Sequence, residues 1–140
     1  MRLRVLVAAA LPLVALAGCG ATVEEADSAT SQECESVDPA VLEAIAAGAQ
    51  DGTGLALAEG VAYKSPNHEN VYLVAATFTA TGVEDQVGVW ATNSIDPASP
   101  GIMMSVDGMA QQFTVWPVAE DTDAAISPAD PSVTAARDCL

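Results

Sequence analysis

Cations are what this sequence has least of. Four Lys and Arg stand against nineteen Asp and Glu in 140 residues, for a formal net charge of −15. Such a chain repels phosphate backbones, which excludes nucleic acid as a partner. Histidine is almost missing: His68 is the single one, so a His-Glu-x-x-His metal helix is excluded and a multi-histidine copper site with it. No serine lies in a Gly-x-Ser-x-Gly elbow, and no glycine loop of the phosphate-cradling kind is present. No apolar run reaches the roughly 20 residues that a membrane-spanning helix needs.

What is present begins at the N-terminus. Arg2 and Arg4 form a short positive region, and an apolar run follows from Val5 to Ala17. That length suits the core of a signal peptide and is too short for a stable spanning helix. The run ends in Leu16-Ala17-Gly18-Cys19, which resembles the lipobox of bacterial lipoproteins. The resemblance implies cleavage before Cys19, a lipid on its thiol, and a protein held at the outer, extracytoplasmic face of a cell membrane. Leu3 separates the two arginines, which argues for export as an unfolded chain. Without residues 1–18 the chain has 122 residues, enough for one compact domain. Lys64 and Arg137 are then its only cationic side chains, and the net charge is −17. Anionic headgroups repel such a surface, so the acyl chains on Cys19 have to supply the attachment.

With Cys19 lipidated, Cys34 and Cys139 remain, and a pair in an oxidising compartment predicts one disulfide joining the two ends of the domain. Between anchor and bridge, Gly20 to Glu33 is rich in Ala, Ser, Thr and acids and nearly free of large apolar side chains. Burial cannot offset its ordering entropy, so it reads as a flexible tether. The expected organisation is a signal peptide over 1–18, a lipidated tether over 19–33, and one α+β domain over 34–140.

The domain opens on a helix signal. Asp38 can cap, Pro39 suits the first helical position, and Val37 can staple onto Leu42. Leu42, Ile45, Ala46 and Ala49 share a face, with Gly48 or Gly52 as the stop. Asp130-Pro131 repeats the device near the C-terminus, placing Val133, Ala136 and Leu140 on the inner face of a short helix that carries Cys139. Between them, Leu55–Tyr63, Val71–Thr79, Gln86–Asn93 and Ile102–Val106 read as strands, with Leu55, Leu57, Val61 and Tyr63 on one face. Short turn-rich links favour an antiparallel meander of four strands. Residues 108–116 suit either a short helix over Met109–Phe113 or a fifth strand. The fold class expected is α+β, a two-layer sheet flanked by an N-terminal and a C-terminal helix.

Several stretches carry a second resemblance: Gly88-Val89-Trp90-Ala91-Thr92-Asn93, Ser105 to Ala110, Phe113, Trp116-Pro117, and Ala136-Arg137-Asp138-Cys139. Together with the Ala-rich, acidic composition they look like small exported proteins of actinobacteria, over about two thirds of the chain beyond the signal. That likeness implies a compartment and a domain, and no activity.

Candidate chemistry is thin. His68 lies in the polar turn Asn67 to Asn70 and reads as a solvated side chain rather than a general base. Asp107 before Gly108 is the carboxylate to watch, although a turn explains it equally well. Glu120-Asp121-Thr122-Asp123 offers hard oxygen ligands without the spacing of a calcium loop. Met103 and Met104 are adjacent and point to opposite faces of a strand, which suits core filling better than copper ligation. Trp90 and Trp116, with Asn93 and Asp107, are the candidates for a binding surface. No cofactor and no metal are expected. The function expected is a lipid-anchored binding or accessory module acting on another envelope protein. The alternative is an inhibitor or shield against a cationic target, such as a lysozyme-like enzyme or an antimicrobial peptide. A small hydrolase is the least supported.

Overall fold

A computed structural model describes residues 33–140 of the chain. The expected signal peptide, Cys19 and all but the last residue of the tether lie outside them. Within the described residues no helix is long and apolar enough to cross a membrane.

The first helix forms as its sequence dictates. Asp38 is extended and its carboxylate accepts the Ala40 N–H at 2.9 Å, with Pro39 at the first helical position. The resulting helix α1 spans Pro39–Ala46 and buries Val41, Leu42 and Ile45. Val41 was not among the inward residues that the spacing picked out. A short strand β1, Cys34–Ser36, precedes the helix. The long strands are β2 (Ala56–Lys64), β3 (Tyr72–Ala80) and β4 (Val83–Thr92), and a three-residue β5 (Met103–Ser105) closes the sheet. All neighbours are antiparallel and the order is β1-β2-β3-β4-β5, a meander. The fifth strand is therefore β1. Residues 108–113 form helix α2 (Gly108–Phe113), capped by Asp107. A single 3-10 turn over Ala119–Asp121 and helix α3 (Pro131–Asp138) complete the chain.

Two bulges set which side chains face where. Leu57 pairs with Phe78 but Glu59 pairs with Thr77, so β2 holds an extra residue between them. A one-residue insertion moves all later side chains to the other face. Leu55 and Leu57 consequently pack on one side of the sheet, and Val61 and Tyr63 on the other. The single face expected for these four residues is split for that reason. In β4, Phe78 pairs with Gln86 and Ala80 with Val83, and Asp85 takes up the extra residue at φ 53°.

The sheet is covered on both sides, which corrects the two-layer expectation. On one face, Val41, Leu42 and Ile45 of α1 and Ala110 and Phe113 of α2 pack with Val74, Phe78, Trp90 and Met103. On the other, Val133 and Ala136 of α3, with Ala119 and Ile126, pack with Leu73, Ala75, Val89 and Ala91. A central strand buried on both faces loses its alternation and reads as a continuous apolar run, as Leu73-Val74-Ala75-Ala76 does. The approach of α1 is close at Gly60, where a Cβ would come within 2.7 Å of Leu42 Cδ2. Leu140, placed on the inner face of the last helix by its spacing, is instead 47% exposed beyond the helix end.

Candidate functional site

Cys34 and Cys139 are joined, with their Cα atoms 5.8 Å apart and a sequence separation of 105. The bridge links β1, at one edge of the sheet, to the residue that caps the C-terminus of α3.

The four residues singled out as a surface do not form one. Trp90 is fully buried, stacked edge-on to Phe78 at 6.1 Å between ring centroids. Its indole N–H donates to Thr114 Oγ1 at 3.2 Å, and that hydroxyl donates onward to the Ala110 carbonyl at 2.6 Å. Trp90 thus ties β4 to the end of α2 and belongs to the core. Trp116 is half-buried and donates its N–H to the Ile45 carbonyl at 2.9 Å, closing the C-terminal end of α1. Its ring lies over Gly48 so closely that no Cβ would fit there. Asp107 is buried: one oxygen accepts the Ala110 N–H at 2.8 Å as the cap of α2, and the other accepts from Arg137 of α3 at 2.6 Å. Both oxygens are engaged, and the side chain is only 3% exposed.

Asn93 alone remains at the surface. Its Oδ1 accepts the Ile102 N–H at 2.9 Å and so closes the loop from Ser94 to Gly101. The exposed end of the sheet beside it is indented on two sides. One groove, of about 520 Å³, is lined by Asn93, Tyr72 and Ile95 together with the acidic residues Glu35, Asp38 and Asp96. The other depression, of about 280 Å³, is mostly apolar and is lined by Asn93, Ile102, Met104, Pro117 and Ala124 with Thr122 and Asp123. Sequence reasoning passed over Ile102 and Asp96, since an exposed isoleucine and a turn aspartate carry no signal until the loop brings them beside Asn93.

His68 is not simply solvated. Its Nε2 lies 2.9 Å from Asp130 Oδ2, while Asp130 Oδ1 accepts the Ser132 N–H at 2.8 Å as the cap of α3. Burial alone would raise the Asp130 pKa. The hydrogen bonds from His68 and Ser132 outweigh it, and the carboxyl is held below its usual range. Ser65 and Ser132 lie in the same corner, but their hydroxyls pair with each other at 3.1 Å. A nucleophilic triad needs a serine on the histidine nitrogen that faces away from the carboxylate. Here the residue types meet without that geometry, and the corner is a latch between the β2–β3 turn and α3.

The two methionines divide as their adjacency implies. Met103 is buried with the α1 and α2 side, and Met104 packs against the α3 side. Among the described residues no group of three or more His, Cys, Asp or Glu is placed to hold a metal ion. Comparison with known protein families, with curated proteins and with solved structures finds no match.

Proposed function

We propose that the protein is a lipid-anchored binding or accessory module at the extracytoplasmic face of a bacterial cell membrane. One observation carries the reading, the arrangement of the three cysteines. Two are joined within the domain, and such bridges persist in oxidising compartments outside the cytoplasm. The third, Cys19, follows Leu16-Ala17-Gly18 behind a short apolar run with arginines before it. In this reading residues 19–33 are a spacer between lipid and domain, and a helix at each end flanks the sheet without adding chemistry.

The nature of the surface favours binding over catalysis. The candidate carboxylate Asp107 is capped and paired, and His68 is held by Asp130. The second reading, a shield or inhibitor against a cationic target, is favoured by charge. The domain's cations are themselves engaged: Arg137 on Asp107, and Lys64 over the Tyr72 ring at 5.8 Å from its centroid. Uncompensated acids therefore dominate the exterior.

Fractionation of cells expressing the native chain and Cys19→Ser tests the anchor. The native protein is expected in the membrane fraction with a diacylglyceryl mass on Cys19, and the variant in the soluble fraction. Membrane association of Cys19→Ser equal to the native chain would remove the anchor assignment. Affinity capture from the same membranes without crosslinking, at low and high salt, then separates the two readings. A partner that stays bound in high salt supports an envelope accessory, and one lost steeply with salt supports a cationic target.

A further inference from the structure

The described chain holds two Asp-Gly pairs, Asp51-Gly52 and Asp107-Gly108, and the fold treats them oppositely. A glycine after an aspartate has no Cβ to keep its nitrogen away from the carboxyl carbon in front of it. At Asp107 that approach is blocked. One carboxylate oxygen accepts the Ala110 N–H at 2.8 Å, the other accepts from Arg137 at 2.6 Å, and the group is buried. Ring closure there has to break both the cap of α2 and the link to α3.

Asp51 and Gly52 instead form the exposed tip of the turn that leads from α1 towards β2. The ion pairs among the described residues, His68–Asp130 and Arg137–Asp107, leave Asp51 out. The residues on either side of the tip are anchored. Gln50 donates its N–H to the Phe113 carbonyl at 3.0 Å, and its side-chain amide donates to the carbonyls of Gln111 and Thr114. Thr53 donates to the Gln50 carbonyl twice, from its N–H at 3.2 Å and from its hydroxyl at 2.7 Å. The Gly52 N–H has no partner among the described residues. Gly52 adopts φ 78°, and a Cβ built there would meet nothing within 4 Å. Nitrogen and carboxyl are both unoccupied at this tip.

We infer that Asp51 is a site of spontaneous isoaspartate formation, and that the fold protects Asp107 from the same reaction. The Gly52 nitrogen attacks Cγ of the protonated Asp51 carboxyl. A new N–C bond forms as the C–OH bond breaks, and the hydroxyl leaves with the amide proton as water. The cyclic succinimide then takes up water. Opening at the Cγ carbonyl restores Asp51, whereas opening at the main-chain carbonyl routes the backbone through Cγ and leaves a free α-carboxylate. The product has one more methylene in its main chain. With Gln50 and Thr53 anchored, that extra length falls on the bonds between them and loosens the Thr53 N–H. Freeing Asp107 demands the loss of two hydrogen bonds, one of them to a charged group, which holds the reaction back there by about tenfold or more. The inference is independent of what the module binds and of how it is anchored.

The test is peptide mapping of the full chain carrying Cys19→Ser after long incubation at mildly acidic pH, folded in one sample and reduced in urea in the other. Isoaspartate is read by enzymatic methylation of its free carboxylate and by fragmentation that distinguishes the two linkages. In the folded chain, isoaspartate at 51 is expected to exceed that at 107 by about tenfold or more. In the unfolded chain the two sites are expected to converge, since neither is then held. Arg137→Ala removes one restraint on Asp107 and is expected to raise isoaspartate at 107 while leaving 51 unchanged, with amide shifts far from Arg137 verifying the fold. Equal amounts at the two sites in the folded chain overturn the inference. So does an absence at 51 in the folded chain where the unfolded chain forms it. No rise at 107 in Arg137→Ala overturns the protection assigned to that contact. Hydrogen exchange of the isomerised chain reads the turn, and a Thr53 amide exchanging as slowly as before overturns its loosening.

Discussion

At the residue scale, the polar groups of this domain act mostly as fasteners. Trp90 can sit at zero exposure because Thr114 takes its N–H. Thr114→Val removes that acceptor and leaves a buried donor unpaired, at a cost of about 1–3 kcal/mol. Urea unfolding followed by fluorescence reads the loss directly, and a change within about 0.5 kcal/mol, as for neutral surface substitutions, would mean water reaches the indole. Gly48→Ala drives a methyl group into the Trp116 ring, and overpacking of that kind costs about 1–3 kcal/mol. Trp116→Leu in the same chain is expected to recover part of it, since the double substitution makes room. Both tryptophans were visible in the sequence as conspicuous residues. Their roles were not, because whether an aromatic faces inward depends on the partner across the sheet or helix.

The same scale governs the acid response. Asp130 has its folded pKa lowered, so its contribution to stability is fully present above the unfolded carboxylate value of about 3.9. That contribution is lost as pH falls through the lowered folded value. Acid titration of thermal stability is therefore expected to fall below about pH 4, and Asp130→Ala to be less stable at neutral pH with a shallower fall. An unchanged slope in Asp130→Ala would show that His68 and Ser132 do not hold that carboxylate in solution.

At the scale of elements, the helix signals were legible because they are local. Asp38-Pro39 and Asp130-Pro131 each cap and start a helix, as their spacing says. The meander was legible from short links. The bulge in β2 was not, since Ala58 looks like any small strand residue until the pairing with β3 leaves it unmatched. Strand β1 was missed for a related reason: three residues, all exposed, carry no periodicity. Such a strand has one neighbour and no buried side chain, so its placement depends on the bridge from Cys34 to Cys139. Closing a loop of about a hundred residues in the unfolded chain stabilises a fold by roughly 4–5 kcal/mol. Cys139→Ser is expected to lose about 2–5 kcal/mol, with amides of β1 and the last turn of α3 exchanging first and those of β3 last. Uniform acceleration across the sheet would show instead that the bridge acts on the whole domain.

At the scale of the whole molecule, two properties interact. The first is a sheet buried on both faces, signalled by the continuous apolar run of β3 but hidden by small side chains, since Ala75 and Ala76 fill as little space in a core as they do on a surface. The second is the charge. Sixteen of the nineteen acids fall within residues 33–140, against Lys64 and Arg137 as the lysine and arginine side chains. Folding draws these carboxylates together around a thin core, and the resulting self-repulsion works against the compact state. Salt weakens that term, because the Debye length shrinks from about 30 Å at 0.01 M to about 10 Å at 0.1 M. A protein stabilised by exposed ion pairs would lose stability over that range. This one has its ion pairs half-covered and its surface charges mostly of one sign, so the balance runs the other way. Its Tm is expected to rise with sodium chloride by several degrees, the equivalent of about 1 kcal/mol for a domain of this size. Calorimetry at fixed pH decides it. A falling Tm would mean that attraction within Arg137–Asp107 and His68–Asp130 outweighs the repulsion, and would undercut the view of the acidic exterior as a surface waiting for cations from elsewhere.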